Sequence, residues 1–265
     1  MHHHLDAYAY TNRLRSLPPQ QKLSFALVVM GIALVAHPIT QGLIVIWLSI
    51  WTVGYARIPA RVYGSVLGVM LVFLLTSIPA LVLEIVPLHQ RAMVQENSWA
   101  GLVVGNWYGF ISQPGLLQAV AVGMRSLACT ACLLFILFTI PFAELLAVLR
   151  QCRVPTVFID LLLLMYRFIF LLLDVLTQLQ LAQRARGGYR TRQRWMQSAG
   201  LLVSQLLVRS LQRYQQFSLG LAARGFNGNL HVDSNVSYCY SKRYAVESLL
   251  GCVGLVVLDF NVSSG

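Results

Sequence analysis

The stretch that most limits what this chain can become is 63–83. It runs from Tyr63 to Leu83 without a charged side chain, and as an α-helix it is long enough to cross the hydrocarbon of a bilayer. Further apolar blocks lie at 23–36 and 39–55, on either side of His37-Pro38. Two more lie at 119–140, stopped by Pro141, and at 244–260. Together 23–55 is too long for one span, and each half is short for a full crossing. The break therefore predicts a tight helical hairpin at His37-Pro38. Of 265 residues, 57% are hydrophobic and 11% charged, against about 25% charged in a soluble domain. The expectation is an all-α integral membrane protein with about five transmembrane helices.

Basic residues orient the spans. The leader carries Arg13, Arg15 and Lys22, the turn after the hairpin carries Arg57 and Arg61, and 84–118 carries only Arg91. Residues 142–243 hold thirteen of the 20 Lys and Arg. Cytoplasmic loops collect such charge, so the N-terminus is expected in the cytoplasm and the C-terminus outside, in the plasma or inner membrane. No signal peptide is expected before the first span. The chain then divides into a transmembrane domain, 1–140, a cytoplasmic or interfacial coupling domain, 141–243, and a last transmembrane helix, 244–265. Trp99, Trp107 and Tyr108 suit an outer interfacial belt. Arg125 is expected near the outer end of its span, where it can snorkel. The net charge of +11 follows the loops rather than an aromatic-studded patch, which argues against nucleic acid.

The chemistry-bearing residues do not assemble into a catalytic motif. Cys129 and Cys132 form a CxxC inside an apolar run, where they read as small packing residues. His2, His3 and His4 are a lone cluster and a weak metal signal. Glu84, His89 and Glu96 on the outer side, and Asp160 and Asp174 inside, match no HExxH, nucleophile elbow or phosphate-cradling loop. No catalytic residue, metal ligand or cofactor is expected. The clearest spans carry no ionisable group at their centre, which weighs against a transporter or channel that binds and carries its substrate itself. That remains the alternative.

Within 142–243 the pattern is helical. A short helix is expected over 142–150, then long ones over 156–183 and 195–222, each about 40 Å long at 1.5 Å per residue. The middle one is apolar nearly all round, and whether it crosses or skims the bilayer is open. Asp160, Arg167 and Asp174 recur every seven residues along one side, as an ion-pair stripe or a docking face. The last helix alternates a wet row, Gln205, Arg209, Gln212 and Gln216, with an apolar row, Val203, Leu207, Leu211, Tyr214 and Leu221.

Each long helix ends in the same tripeptide, first Ala185-Arg186-Gly187 and then Ala223-Arg224-Gly225. Gly just past a helix end supplies a left-handed cap, and Arg in the last turn suits the negative pole of the dipole. Neither requires alanine before the arginine twice. A small residue beside a long cation lets a partner's backbone approach while the guanidinium enters its pocket. Two such ends suit two copies of one partner.

Three places carry a family resemblance. They are the leader Leu5-Asp6-Ala7-Tyr8-Ala9-Tyr10-Thr11-Asn12-Arg13-Leu14, the middle Tyr166-Arg167-Phe168 with its Gln-rich approach to Arg186, and the paired Ala-Arg-Gly ends. Here the chain resembles the transmembrane T component of energy-coupling factor transporters, in the cobalt/nickel branch (CbiQ-like). The resemblance implies a scaffold rather than an enzyme. It would join two cytoplasmic ATPase subunits to a small membrane subunit that captures the metal ion. Arg186 and Arg224 would sit in grooves of the two ATPases and transmit their closure. The metal need not touch this chain, so His2 to His4 are not implied as ligands.

Overall fold

The computed structural model describes residues 8–87, 98–104, 107–225 and 242–264. His2 to His4, Leu5 to Ala7, His89, Arg91, Glu96 and Cys239 lie outside them. Two compact units form, Met1–Pro141 with Val236–Gly265, and Phe142–Asn235.

In chain order the helices are α1 (Pro19–Val35), α2 (Pro38–Ile50, running into a π-helical turn, Trp51–Tyr55), α3 (Ala60–Val82) and α4 (Gln113–Thr139). The second unit holds α5 (Phe142–Gln151), α6 (Thr156–Ala185) and α7 (Arg192–Ala223), and α8 (Lys242–Ser264) returns to the first. Among the described residues, 5 helices are long and apolar enough to span a membrane: Pro38–Tyr55, Ala60–Val82, Pro114–Thr139, Thr156–Ala185 and Arg243–Asn261. Pro19–Val35, with 17 residues, is a shorter apolar helix. This is a multi-pass helical membrane protein.

The hairpin forms where His37-Pro38 breaks the apolar run. Pro38 can start α2 because the first helical N–H needs no partner. The remaining backbone groups at the turn find side chains, as they must where water is scarce. Gln41 Nε2 donates to the carbonyls of Ala33 at 3.0 Å and Ala36 at 2.8 Å, closing the end of α1. Asp259, from α8, accepts the His37 N–H at 2.8 Å and the Thr40 hydroxyl at 3.0 Å, capping α2 across the fold.

Helix α4 packs against α1, α2 and α3. The core between them is aromatic. Phe25 of α1 meets Trp51 at 5.2 Å, Trp47 at 5.3 Å and Phe135 of α4 at 5.6 Å between ring centroids. Cys132 is fully buried in this cluster and Cys129 packs against it, which is the packing role expected of the CxxC. Tyr244 brings α8 onto Trp51 at 6.2 Å. Further along α8, Gly251 lies so close to the Trp47 indole that a Cβ would overlap it.

The leader is stitched to the end of α4. Asn12 is buried and its Nδ2 donates to the carbonyls of Ala9 at 2.8 Å, Phe138 at 3.0 Å and Thr139 at 3.3 Å. Lys22, also buried, donates from Nζ to Thr139 O at 3.0 Å and Leu14 O at 3.2 Å. The last carbonyls of an α-helix have no intrahelical donor. Here an amide and a cation supply donors, and a cation suits the negative pole.

Two expectations need correction. The interval 84–118 is not only a polar connection. It holds a three-stranded antiparallel sheet, β1 (Leu83–Pro87), β2 (Ser98–Val104) and β3 (Trp107–Ser112), with β3 in the middle. Trp99, Trp107 and Tyr108 fall on these strands. The signal was two runs rich in Val, Ile and aromatic residues separated by Gly105-Asn106, a two-residue hairpin pattern. Secondly, α4 begins at Gln113 rather than Ala119. Arg125, which is exposed, therefore sits nearer the middle of its helix than the end.

Candidate functional site: the paired Ala-Arg-Gly helix ends

Both tripeptides are helix C-terminal caps of one design. Arg186 closes α6 with φ −87 and ψ 7, and Arg224 closes α7 with φ −96 and ψ 7. The next residue is left-handed in both, Gly187 at φ +70 and Gly225 at φ +68. Only glycine takes that conformation without a Cβ penalty. At the first end the Gly188 N–H donates to Gln183 O at 2.9 Å and the Gly187 N–H to Arg184 O at 3.0 Å. This is the double bond pattern of a Schellman cap. At the second end the Gly225 N–H donates to Ala222 O at 3.1 Å, the equivalent of the Gly187 bond.

The cap places each arginine where α-helical geometry stops and the chain turns away. Ala185, Arg186, Ala223, Arg224 and Gly225 are exposed. Among the described residues, neither arginine makes a side-chain hydrogen bond or ion pair. A guanidinium carries five N–H donors in a planar fork, suited to a carboxylate or to carbonyls.

The first end is held by contacts between the two helices that the sequence does not show. Phe168 meets Phe217 with centroids 6.0 Å apart, and Gln183 Nε2 donates to Ser198 O at 3.0 Å, so α7 folds back along α6. Ser198 Oγ donates to Gly188 O at 2.9 Å, and the Tyr189 hydroxyl donates to Gln183 Oε1 at 2.7 Å. This clasp explains the doubled glycine. A Cβ on Gly188 would stand 2.6 Å from Ser198 Oγ and 3.0 Å from Gln183 O. Gly188→Ala is expected to cost the tip about 1–3 kcal/mol. Amide exchange around 183–198 should accelerate accordingly. Gly200→Ala on α7, with open space around it, should not do so.

Two expectations for these helices change. Asp160 pairs with Arg150 of α5 at 3.5 Å, so that ion pair crosses between helices. Positions seven apart are about 10 Å apart along a helix, beyond pairing distance. On α7 the polar row is exposed as expected, with Arg209, Gln212 and Gln216 along the edge of the groove beside α6, but the apolar row is exposed as well, Val203 at 65%, Leu207 at 61% and Tyr214 at 61%. The buried apolar side chain of this helix is Leu202. Beside an apolar α6 and next to lipid or a partner, the apolar row can face outward.

The sequence matches the family of the cobalt transport protein CbiQ over residues 11–237. The chain belongs to the CbiQ family. The match includes Asn12 and Lys22 of the leader clasp and both Ala-Arg-Gly ends. A CbiQ cobalt transport protein of Rhodobacter capsulatus is 34% identical over 86% of each chain. One from Salmonella typhimurium is 29% identical over 86% of this chain and 99% of its own. A putative fused cobalt transport protein, CbiMQ, of Methanocorpusculum labreanum is 29% identical over 85% of this chain and 37% of its own. Membership in the CbiQ family, with the apolar helices, makes this a membrane component of cobalt transport.

Proposed function

We propose that this chain is the coupling subunit of an energy-coupling factor importer for a divalent metal ion, cobalt or nickel. It joins two cytoplasmic ATPase subunits to a small membrane subunit that captures the ion, and ATP is hydrolysed by those partners. The observation that carries this reading is the pair of matching caps. Each presents an exposed arginine without a partner among the described residues, beside an alanine that leaves room for another backbone. Ala185, Arg186 and Gly187 form one contact, and Ala223, Arg224 and Gly225 the other. A planar guanidinium recognises carboxylates and carbonyls in a pocket more specifically than a lysine does.

The topology that serves this function has the N-terminus in the cytoplasm. Helices α1 to α4 and α8 cross the membrane, and α6 lies at the cytoplasmic face although its length would allow a crossing. Residues 1–140 and 244–265 then form the membrane part, and 141–243 transmits force. The fused relative, with a CbiQ-like portion in a longer chain, supports a second membrane component close to this one. The chain should be recovered from its native membrane under mild detergent and its companions identified. The expected result is an ATP-hydrolysing subunit in two copies, or two related ones, with a small membrane protein. Recovery of the chain alone, with metal uptake when it is reconstituted by itself, would overturn the proposal.

A further inference from the structure

Between α6 and α7 runs a trough whose walls combine arginine with apolar surface. One part, about 220 Å³, is lined by Arg167, Phe168 and Leu171 of α6 and Arg213, Gln216 and Phe217 of α7. The next, about 260 Å³, shares Leu171, Arg213 and Gln216 and adds Leu172, Val175, Arg209 and Gln212. Three guanidinium groups thus converge on one floor of leucine, valine and phenylalanine. Among the described residues, no carboxylate lines either part. Arg213 Nη1 donates weakly to Gln216 Oε1 at 3.4 Å. Among the described residues, Arg167 and Arg209 have no ion-pair partner.

We propose that this trough binds the headgroup of an anionic phospholipid. The charge sets the sign of the ligand. Residues 142–225 contain eleven arginines and three carboxylates, Glu144, Asp160 and Asp174. The apolar floor sets its kind, because a free phosphate gains nothing from Phe168, Leu171, Leu172 and Val175, whereas acyl chains do. The location is supplied by α6 itself, apolar nearly all round and mostly exposed, which places the trough at lipid. Arginine forks fit phosphate oxygens bidentately, and the glutamines can bond the ester and glycerol oxygens. Arg209, Gln212 and Gln216 are exposed along this edge of α7 and open to such a headgroup. The inference does not depend on the coupling role of Arg186 and Arg224.

The test is native mass spectrometry of the full chain, or its purified complex, released from nanodiscs of phosphatidylglycerol and phosphatidylcholine mixed equally. The expected result is a retained phosphatidylglycerol that survives activation. In the triple variant Arg167→Gln, Arg209→Gln and Arg213→Gln its affinity should fall on the order of 100-fold. Each arginine near an anionic membrane surface contributes roughly a five-fold factor. The Arg→Lys triple variant keeps all three charges and should retain most of the binding, which separates loss of the site from loss of fold. Equal retention of phosphatidylcholine, displacement by millimolar inorganic phosphate, or unchanged binding in a folded Gln triple variant would overturn the proposal. So would unchanged lipid retention accompanied by loss of co-purifying soluble subunits, which would assign the trough to an acidic protein surface.

Discussion

Exchanging Arg186→Glu together with Arg224→Glu is expected to abolish recovery of ATPase subunits with this chain, while the chain itself still folds and inserts. Both side chains are exposed, and among the described residues neither is bonded within the chain. Their replacement therefore breaks no side-chain bond among the described residues. A glutamate at a helix C-terminus opposes the dipole by only about 0.3–1 kcal/mol at each end. In a partner's pocket the change is far larger. Losing one member of a buried charge pair costs about 2–5 kcal/mol, and reversal adds repulsion. Each single variant should weaken assembly by 30-fold or more, since about 1.4 kcal/mol corresponds to a factor of ten. The double variant should leave no measurable complex. Co-purification and metal-dependent uptake are the readouts, with the helical circular dichroism of the isolated chain as the control for folding.

The second large effect is expected in the first unit. Asn12→Leu removes three donor contacts, at 2.8, 3.0 and 3.3 Å, from a fully enclosed site. The carbonyls of Phe138 and Thr139 are then left with less than their share of donors at the end of α4. Buried unpaired groups cost about 1–3 kcal/mol each. A loss of about 3 kcal/mol is expected, together with detachment of the leader. Lys22 still reaches Thr139 O at 3.0 Å, so Asn12→Leu alone should leave α4 folded. Adding Lys22→Met should destabilise the first unit further. Thermal unfolding in detergent would show the stepwise loss, and protease access to the leader would precede it.

What the sequence made legible follows from the strength of each physical signal. Lipid-length apolar runs broken by Pro38 and Pro141 leave few alternatives to helices. The hairpin at His37-Pro38 and the long helices up to Arg186 and Arg224 were readable from that alone. The glycine caps were readable because φ near +70 narrows the choice of residue. The sheet over 83–112 left only the weaker signal of short Val- and aromatic-rich runs around Gly105-Asn106, which lack the length that distinguishes spans. The clasp of Gln183, Tyr189 and Ser198 was hidden for a different reason. Polar side chains near helix ends have many candidate partners, and only the return of α7 along α6 selects among them. The exposed apolar row of α7 shows the limit of helical periodicity. It separates two faces but does not say which one meets water when lipid or another protein is present. The exposed Arg125 belongs with these, since its depth depended on where α4 began.

The central claim is that two arginine-capped helix ends meet soluble ATPases on the cytoplasmic side. Labelling of Arg186→Cys and Arg224→Cys tests it most directly. The native cysteines are replaced, and a membrane-impermeant maleimide is applied to intact cells and to inside-out vesicles, with and without the co-expressed ATPase subunits. No labelling is expected in intact cells, with rapid labelling in vesicles lacking the ATPases and protection of both positions when the ATPases are present. Labelling of either position from outside the cell, or equal reactivity in vesicles with and without the ATPases, would contradict it.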